Sequence, residues 1–193
     1  MIMGLDEAGR GPLAGPVCAA AVILPVDFPS GGRARGILDD SKKLGVRERE
    51  QAAEAIYQSG ALWGVGWATA LEIDRLNIHH ASLLAMRRAF FALASDPRYA
   101  ALADRVHAVA DGRFSPEIPV PCRALVKADA QIPPVMAASI LAKTSRDSLM
   151  ARYALALPEY GYEKHKGYPT KLHYERIARH GPSPIQRMSY RWK

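Results

Sequence analysis

The chain has 193 residues, of which 49% are hydrophobic and 23% charged, so it is long enough for one domain with a sizeable core. Its formal net charge of +7 favours polyanionic partners. Two cysteines far apart exclude a disulfide framework and a zinc site, and the longest apolar run, Val17 to Leu24, is too short to span a bilayer. With no signal peptide in the sequence either, we expect a cytoplasmic protein without a membrane partner.

Strands and helices alternate along the chain. Residues 1–5 and 17–24 predict buried strands, and the Gly- and Pro-rich sequence between them predicts a tight turn. A surface loop is predicted over 25–45, followed by a helix over 46–58, a strand over 61–69 and a helix over 78–94. Strands over 106–110 and 123–126 come next, then a long helix that begins after Pro134 and runs to about Leu157, and a short helix near 170–179. This mixture indicates an α/β sheet with helices packed on its faces.

Four carboxylates stand at or just after the ends of predicted strands: Asp6, Glu7, Asp111 and Asp129. Open α/β sheets place their ligands at strand ends, so these acids are candidates for one site. Neighbouring strand residues point to opposite faces of a sheet. Asp6 and Glu7 can therefore share a site only if the strand ends there and the backbone turns, which the glycines that follow permit.

A shared site for these acids would need a cation, because clustered carboxylates repel one another when all are ionised. Hard oxygen ligands suit Mg²⁺ or Mn²⁺, and two such ions about 4 Å apart promote phosphodiester hydrolysis. Taken singly, each acid is better explained as a turn residue or helix cap, and Asp111-Gly112 is a common turn signal. The sequence does not decide whether the strand ends converge.

Seven short motifs in a fixed order give the chain a family likeness. They are DEAGRGPLAG from Asp6 to Gly15, DSKKL at 40–44, LNIHHAS at 76–82, DG at 111–112, KAD at 127–129, AASILAKTSRD at 137–147 and HKGYPT at 165–170. Any one of these strings can arise by chance, but the occurrence of all seven in the same order makes coincidence improbable. In these motifs the chain resembles the ribonuclease HII family, the type 2 ribonucleases H, over nearly its whole length.

The resemblance implies a ribonuclease H-like α/β fold, with a five-stranded mixed sheet flanked by helices and a small helical C-terminal region. We expect a catalytic domain over residues 1–158 and a helical extension over 159–193 packed on the same domain. The implied activity is hydrolysis of the RNA strand of RNA–DNA hybrids and cleavage 5′ to ribonucleotides embedded in duplex DNA, leaving 5′-phosphate ends. The implied cofactor is Mn²⁺ or Mg²⁺, and we expect a monomer whose partners are these nucleic acids.

By the same resemblance, the four acids form the active site. Asp6, Glu7 and Asp111 would be the principal metal ligands. Asp129 would help to bind a second ion or position the attacking water. One ion would activate water for in-line attack on the phosphate, and the second would stabilise the departing 3′-oxygen.

Two further motifs are implied to recognise the substrate. Gly9, Arg10 and Gly11 match the family motif that reads the 2′-hydroxyl at an RNA–DNA junction, and Tyr168 matches the tyrosine that stacks near that junction. Glycines let the backbone approach a sugar closely, and their peptide groups can hydrogen-bond a 2′-hydroxyl. An aromatic ring can pack against a sugar or base. Without the resemblance, a plain turn and a half-buried packing residue would be the simpler explanations.

Phosphate-binding candidates lie on the long predicted helix and in the loop before residue 46. Four helix residues share one face by their spacing: Ser139, Lys143, Arg146 and Asp147. Ser139 and Lys143 are candidates to hold a phosphate. The alternative is a solvated stripe with a Lys143–Asp147 pair worth roughly 0.3–0.5 kcal/mol. Lys42 and Lys43 are similar candidates, although a lysine pair in a loop is more often only surface.

The sequence departs from the family pattern at three places. Ala128 stands where many relatives have glycine, and Pro134 stands where relatives often carry glutamate. Near the C-terminus, Arg187-Met188-Ser189-Tyr190 replaces a string that usually resembles Arg-Arg-Ser-Phe. None of these changes touches the four acids, but the last one alters a region that is expected to contact substrate.

Three other functions compete with this interpretation. A ribonuclease HIII would carry an extra N-terminal domain and usually lacks the arginine that is present here as Arg10. A binding module without catalysis would have no use for acids beside phosphates. A two-carboxylate glycosidase needs carboxylates roughly 5–9 Å apart, which adjacent Asp6 and Glu7 do not supply.

Overall fold

The computed structural model describes residues 1–28, 38 and 44–191, and within them the chain forms five strands and five α-helices. The strands are β1 Ile2–Ala8, β2 Val17–Ile23, β3 Leu62–Ala68, β4 His107–Asp111 and β5 Cys122–Leu125. The helices are α1 Val46–Gln58, α2 Ala70–Ala94, α3 Pro133–Ala156, α4 Tyr162–His165 and α5 Lys171–His180. Each predicted strand and helix thus has a counterpart in the structure.

The strands form one mixed sheet in the order β3-β2-β1-β4-β5. β1 pairs antiparallel with β2, and β2 with β3, whereas β4 pairs in parallel with β1 and with β5. This confirms the expected five-stranded mixed sheet. The central position of β1 places the first acids of the chain in the middle of the sheet.

Helices cover both faces of the sheet, and β2 shows how the two cores divide. Ala19 and Ala21 join the core built with α2, whereas Cys18 and Ala20 join the core built with α1 and α3. Every residue of β2 is buried, as its uninterrupted apolar sequence predicts for a strand covered on both sides.

Two glycines of β3 let α2 lie directly against the sheet. A Cβ added to Gly64 would stand 2.2 Å from the nitrogen of Leu93, and one added to Gly66 would stand 2.2 Å from the oxygen of Ala85. Both clashes are with main-chain atoms, so no rotamer change would relieve them. The close contact between strand and helix therefore depends on the absence of side chains at these positions.

α2 begins earlier than the period of its apolar residues predicts. Thr69 caps it by accepting a hydrogen bond from the N–H of Glu72, and the Glu72 carboxylate accepts the N–H of Thr69 in return. Asn77 interrupts the helix with φ 68° and ψ 165°, and its side chain accepts the N–H groups of His79 and His80. The predicted helix over 78–94 corresponds to the segment after this break.

The C-terminal residues return to the loop that joins β1 to β2. Gln186 forms an isolated bridge with Ala14, and the N–H of Arg187 donates to the oxygen of Leu13. This return brings the end of the described chain against residues that follow the first strand. Within the described part of the chain, no helix combines the length and the apolar character that crossing a bilayer requires.

Candidate active site

β1 carries Asp6 and Glu7 to one end of the sheet. The sequence suggested that the strand ends at these acids, but β1 continues to Ala8. Asp6 pairs with Ala20 of β2, and Glu7 pairs with Ala19. The backbone turns only at Gly9, where φ is 97°. This positive φ is easily reached by glycine and strained for other residues.

The two acids reach one cavity from opposite faces of the strand. Asp6 lies on the face covered by α3, as does its partner Ala20, whereas Glu7 lies on the α2 face with its partner Ala19. Both nevertheless line one cavity of about 500 Å³ at the end of β1. The pairing stops at Ala8, which opens the strand end to both side chains.

Asp111 joins them from the neighbouring strand. It is the last residue of β4, and the parallel register sets Ala110 beside Leu5, so that Asp111 follows beside Asp6. Its Oδ1 accepts a hydrogen bond of 2.8 Å from the N–H of Ala128. Asp111 lines the same cavity. Three of the four predicted acids are therefore brought together.

Asp129 is placed differently from the other three acids. It lies in a short 3₁₀ turn, Ala128–Ala130, that follows β5, and only 6% of its surface is exposed. The described wall of the cavity does not include it. The hydrogen bond from its neighbour Ala128 to Asp111 ties this turn to the site.

The cavity wall also contains each substrate-binding candidate that the structure describes. These are Gly9, Arg10, Gly11, Ser139, Lys143 and Tyr168. Lys42 and Lys43 lie outside the described residues. Arg49 of α1 lines the cavity too, and no motif or spacing in the sequence distinguished it from the other charged residues of its helix.

The helix face that was predicted on α3 does not form a solvated stripe. Ser139 is buried and hydrogen-bonds Asp6, while Arg146 is completely buried. Lys143 forms the alternative ion pair with Asp147 at 2.8 Å, yet it also lines the cavity and lies 5.7 Å from the ring centroid of Tyr168. Lys143 is therefore available to both of its predicted roles.

Arg146 hydrogen-bonds the main chain of the loop that joins β1 to β2. Its guanidinium donates to the carbonyl oxygens of Ala14, Pro16 and Lys166 at 3.0–3.1 Å. Burial and the nearby Arg187 guanidinium lower its pKa to about 10. The group thus stays charged at neutral pH and joins the β1–β2 loop to the main chain just before Tyr168.

Burial and mutual repulsion shift the carboxyl groups of the cavity. Burial raises the pKa of Asp6 well above its usual value, the charge of Glu7 raises it further, and the hydrogen bond from Ser139 opposes both. Burial also raises the pKa of Glu7, against the attraction of Arg10. Asp111 adds repulsion to both neighbours. This is the situation that a bound cation relieves.

The donor set suits a hard divalent cation in its chemistry. Across residues 1–28, 38 and 44–191, no three His, Cys, Asp or Glu side chains already stand in an arrangement that holds a metal ion. Protein donors hydrogen-bond each cavity carboxylate: the N–H of Glu7 and the hydroxyl of Ser139 on Asp6, the Arg10 guanidinium on Glu7 and the N–H of Ala128 on Asp111. Three clustered carboxylates are nevertheless the oxygen ligands that Mg²⁺ and Mn²⁺ take, so rotation of these side chains is what coordination requires.

Comparison with known proteins identifies the family. The family model described as ribonuclease HII matches residues 3–193. A ribonuclease HII of Treponema denticola is 49% identical over 98% of this chain and 98% of its own length. Ribonuclease H2 from Pyrococcus horikoshii has a similar structure, with a TM-score of 0.74 and 25% identity over 99% of this chain and 94% of that one.

A more distant structure supports the fold alone. Bst-RNase HIII, solved in complex with Mn²⁺, superposes with a TM-score of 0.76 at 19% identity, over 99% of this chain and 67% of that one. The sheet order, the convergent acids and the family match agree with one another. The chain belongs to the ribonuclease HII family, divalent-metal-dependent endonucleases that hydrolyse the RNA strand of RNA–DNA hybrids and cut DNA at embedded ribonucleotides.

Proposed function

We propose that the enzyme cuts immediately 5′ to a ribonucleotide in duplex DNA, with Asp6, Glu7 and Asp111 as its catalytic carboxylates. Cleavage at that bond leaves a 3′-hydroxyl and a 5′-phosphate. The observation that carries this proposal is the convergence of three acids from two strands in one cavity whose wall also holds Arg10 and Lys143. Metal-assisted hydrolysis of a phosphodiester requires carboxylates that can bind the metal ions, and basic side chains beside them can bind the phosphate.

Asp6, Glu7 and Asp111 would hold Mg²⁺ or Mn²⁺, and we keep Asp129 as a residue that assists the second ion or the attacking water. When bound, the divalent ions supply positive charge that stabilises the developing charge of the phosphate. The Mn²⁺ reported with Bst-RNase HIII makes that ion the first to test. The burial of Asp129 in the turn whose Ala128 N–H binds Asp111 supports an indirect role for it.

Side chains of the cavity would prepare the acids and dock the substrate. Ser139 donates to Asp6 and so holds its carboxyl group in place. Arg10, which is 3.2 Å from Glu7, would exchange this partner for a phosphate and release Glu7. Lys143 would meet the phosphate backbone beside it.

Recognition of the ribonucleotide would fall to the Gly9–Gly11 loop and Tyr168, which line the same cavity. The loop Gly9-Arg10-Gly11 offers main-chain groups at which a 2′-hydroxyl can be tested. Tyr168 is 38% exposed, and the position of a Cβ on Gly11 would be 3.8 Å from its ring. A ring that is open on one side and next to the loop is suited to stack on the neighbouring nucleotide.

The deciding experiment compares Asp6→Asn with wild type on a DNA duplex that contains one ribonucleotide. With Mn²⁺ or Mg²⁺, we expect wild type to cut 5′ to the ribonucleotide and Asp6→Asn to lose at least about 100-fold in rate, as removal of a principal transition-state group does. Asp104→Asn, at an exposed acid outside the cavity, is the matched control. Undiminished cleavage by Asp6→Asn would remove Asp6 from the site.

We further propose the division into residues 1–158 and 159–193, and a monomer in the cytoplasm. Hydrogen bonds from Gln186 and Arg187 to Leu13 support an extension that packs on the catalytic domain. Light scattering after size exclusion tests the monomer, and a dimer mass would contradict it.

A further inference from the structure

The buried Arg187 hydrogen-bonds the main chain of the Gly9–Gly11 loop, which is proposed to recognise the 2′-hydroxyl. Arg187 has no exposed surface, and its guanidinium donates to Gly9 O at 2.6 Å, Arg10 O at 2.9 Å and Gly15 O at 2.9 Å. It therefore binds carbonyl oxygens at both ends of the turn between β1 and β2.

A second donor completes the contact with the loop. The hydroxyl of Tyr190 donates to the oxygen of Arg10 at 2.8 Å, so that this oxygen receives two hydrogen bonds and both of its lone pairs are used. The turn that carries Arg187 and Tyr190 is itself anchored, because the N–H groups of Met188 and Ser189 donate to the carboxylate of Asp74 at 2.9 Å.

The N–H groups are what remains of the loop for a substrate. Gly9, Arg10 and Gly11 line the cavity, and among the described residues none of their main-chain N–H groups donates a hydrogen bond to another residue. Because the carbonyl oxygens of Gly9 and Arg10 are bound by Arg187 and Tyr190, these two peptide groups leave their N–H donors, those of Arg10 and Gly11, for a substrate. A 2′-hydroxyl would meet them as an acceptor.

Stability alone is a poor reason for this arrangement. Arg187 forms no ion pair with any carboxylate of the described chain, and burial lowers its pKa. A buried charge whose acceptors are mainly carbonyls is a costly way to pack a tail, and apolar side chains usually do it as well. What the guanidinium adds is a fixed orientation of three peptide groups.

We propose that Arg187, assisted by Tyr190, is a positioning residue for ribose recognition: it fixes the Gly9–Gly11 loop with its N–H groups toward the cavity. This inference rests on the proposed function, in which that loop reads the 2′-hydroxyl. Arg187 does not touch the reacting atoms. It sets the selectivity of the site for a ribonucleotide over a deoxyribonucleotide, rather than the general affinity for duplex.

The test measures binding selectivity in an Asp6→Asn background, where cleavage does not intervene. Fluorescence anisotropy gives the dissociation constants of two duplexes that differ only in one 2′-hydroxyl, and their ratio is the selectivity. We expect Arg187→Lys, which keeps the charge but loses the planar fork, to lower this ratio by about tenfold, the value of one well-placed hydrogen bond. Affinity for the all-DNA duplex should change less than about twofold.

A milder variant and a control complete the design. Tyr190→Phe removes only the hydroxyl and should lower the ratio about two- to threefold, since one donor to Arg10 remains. Tyr174→Phe removes another partly exposed tyrosine hydroxyl, outside the cavity, and should leave the ratio unchanged. If Arg187→Lys does not fold, Tyr190→Phe decides the question.

The outcomes separate this inference from the proposed function. If the Asp6→Asn protein with Arg187 intact binds both duplexes equally, the loop does not read the 2′-hydroxyl, and the proposed recognition fails together with the inference. If the Asp6→Asn protein prefers the duplex with the 2′-hydroxyl, and Arg187→Lys and Tyr190→Phe keep the same preference, only the role of Arg187 is overturned. An equal loss of affinity for both duplexes in Arg187→Lys also overturns it, because this is the signature of a merely structural residue.

Discussion

Substitution of Gly9 by alanine should be among the most damaging single-methyl additions to this protein. The residue has φ 97°, and its new Cβ would stand 2.0 Å from Nε and 2.3 Å from Cδ of Arg146. A positive φ costs a non-glycine residue about 1–2 kcal/mol. Arg146 would also have to move, and each hydrogen bond lost by its buried guanidinium costs about 1.5–3 kcal/mol. We expect a total loss of about 3–5 kcal/mol in the free energy of unfolding.

Gly60→Ala is the matched control, because Gly60 has φ 79° and nothing within 4 Å of the added Cβ. It should lose only the backbone contribution of about 1–2 kcal/mol. Urea unfolding of both variants at pH 7, followed by circular dichroism, measures the difference. If Gly9→Ala costs no more than Gly60→Ala, Arg146 yields freely and the packing argument is refuted.

Three further predictions concern substrate and pH. Tyr168→Ala should lower the rate of cutting at a single ribonucleotide by about 5- to 100-fold through lost stacking, whereas Tyr174→Ala, at a similarly exposed tyrosine, should not; equal rates would remove the stacking role. If the three basic side chains of the cavity, Arg10, Arg49 and Lys143, each bind a phosphate, duplex affinity should fall about 40-fold between 50 and 200 mM salt; an affinity that does not change with salt would contradict docking of the phosphate backbone. Arg88, hydrogen-bonded to Glu72, lowers the pKa of that acid to about 2, so this pair should contribute about 0.5–1 kcal/mol of stability above pH 5 that is lost as pH falls toward 2. Arg88→Met should therefore destabilise the protein more at pH 7 than at pH 2, where only the loss of the hydrogen bond to Trp67 O remains; a difference that does not change with pH would exclude the Arg88–Glu72 contribution.

The positions of the strands along the chain and the four acids could be predicted because they are local or family signals, whereas the order of the strands in the sheet was not predicted. Asp111 ends an apolar strand before a glycine, and the sequence shows both features directly. Thr69 and Glu72 have the spacing of a capping box, so the sequence did contain a signal for the start of α2 at Ala70. The spacing of the apolar residues did not show it. Periodicity begins only after Asn77, where the helix restarts.

The missed features depend on contacts between distant segments. The extent of β1 past Glu7 is set by pairing with β2, which the sequence of β1 alone does not encode. The role of Arg187 arises from a tail that returns to Gly9, and a lone arginine near a C-terminus carries no sign of such a partner. Asp129 lies off the described cavity wall for a similar reason, because a short turn rather than the strand end fixes its position.

The pairing of β1 with β4 governs when the enzyme becomes competent during its own synthesis. Asp111, the neighbour of Asp6, is synthesised about 100 residues after it, and Arg187 reaches Gly9 later still. A nascent chain that lacks β4 has carboxylates without a shared pocket, and one that lacks Arg187 has a pocket whose Gly9–Gly11 loop is not yet held in place. Such long-range contacts form late in folding, so nuclease activity should arise only after both β4 and the segment that contains Arg187 have been synthesised.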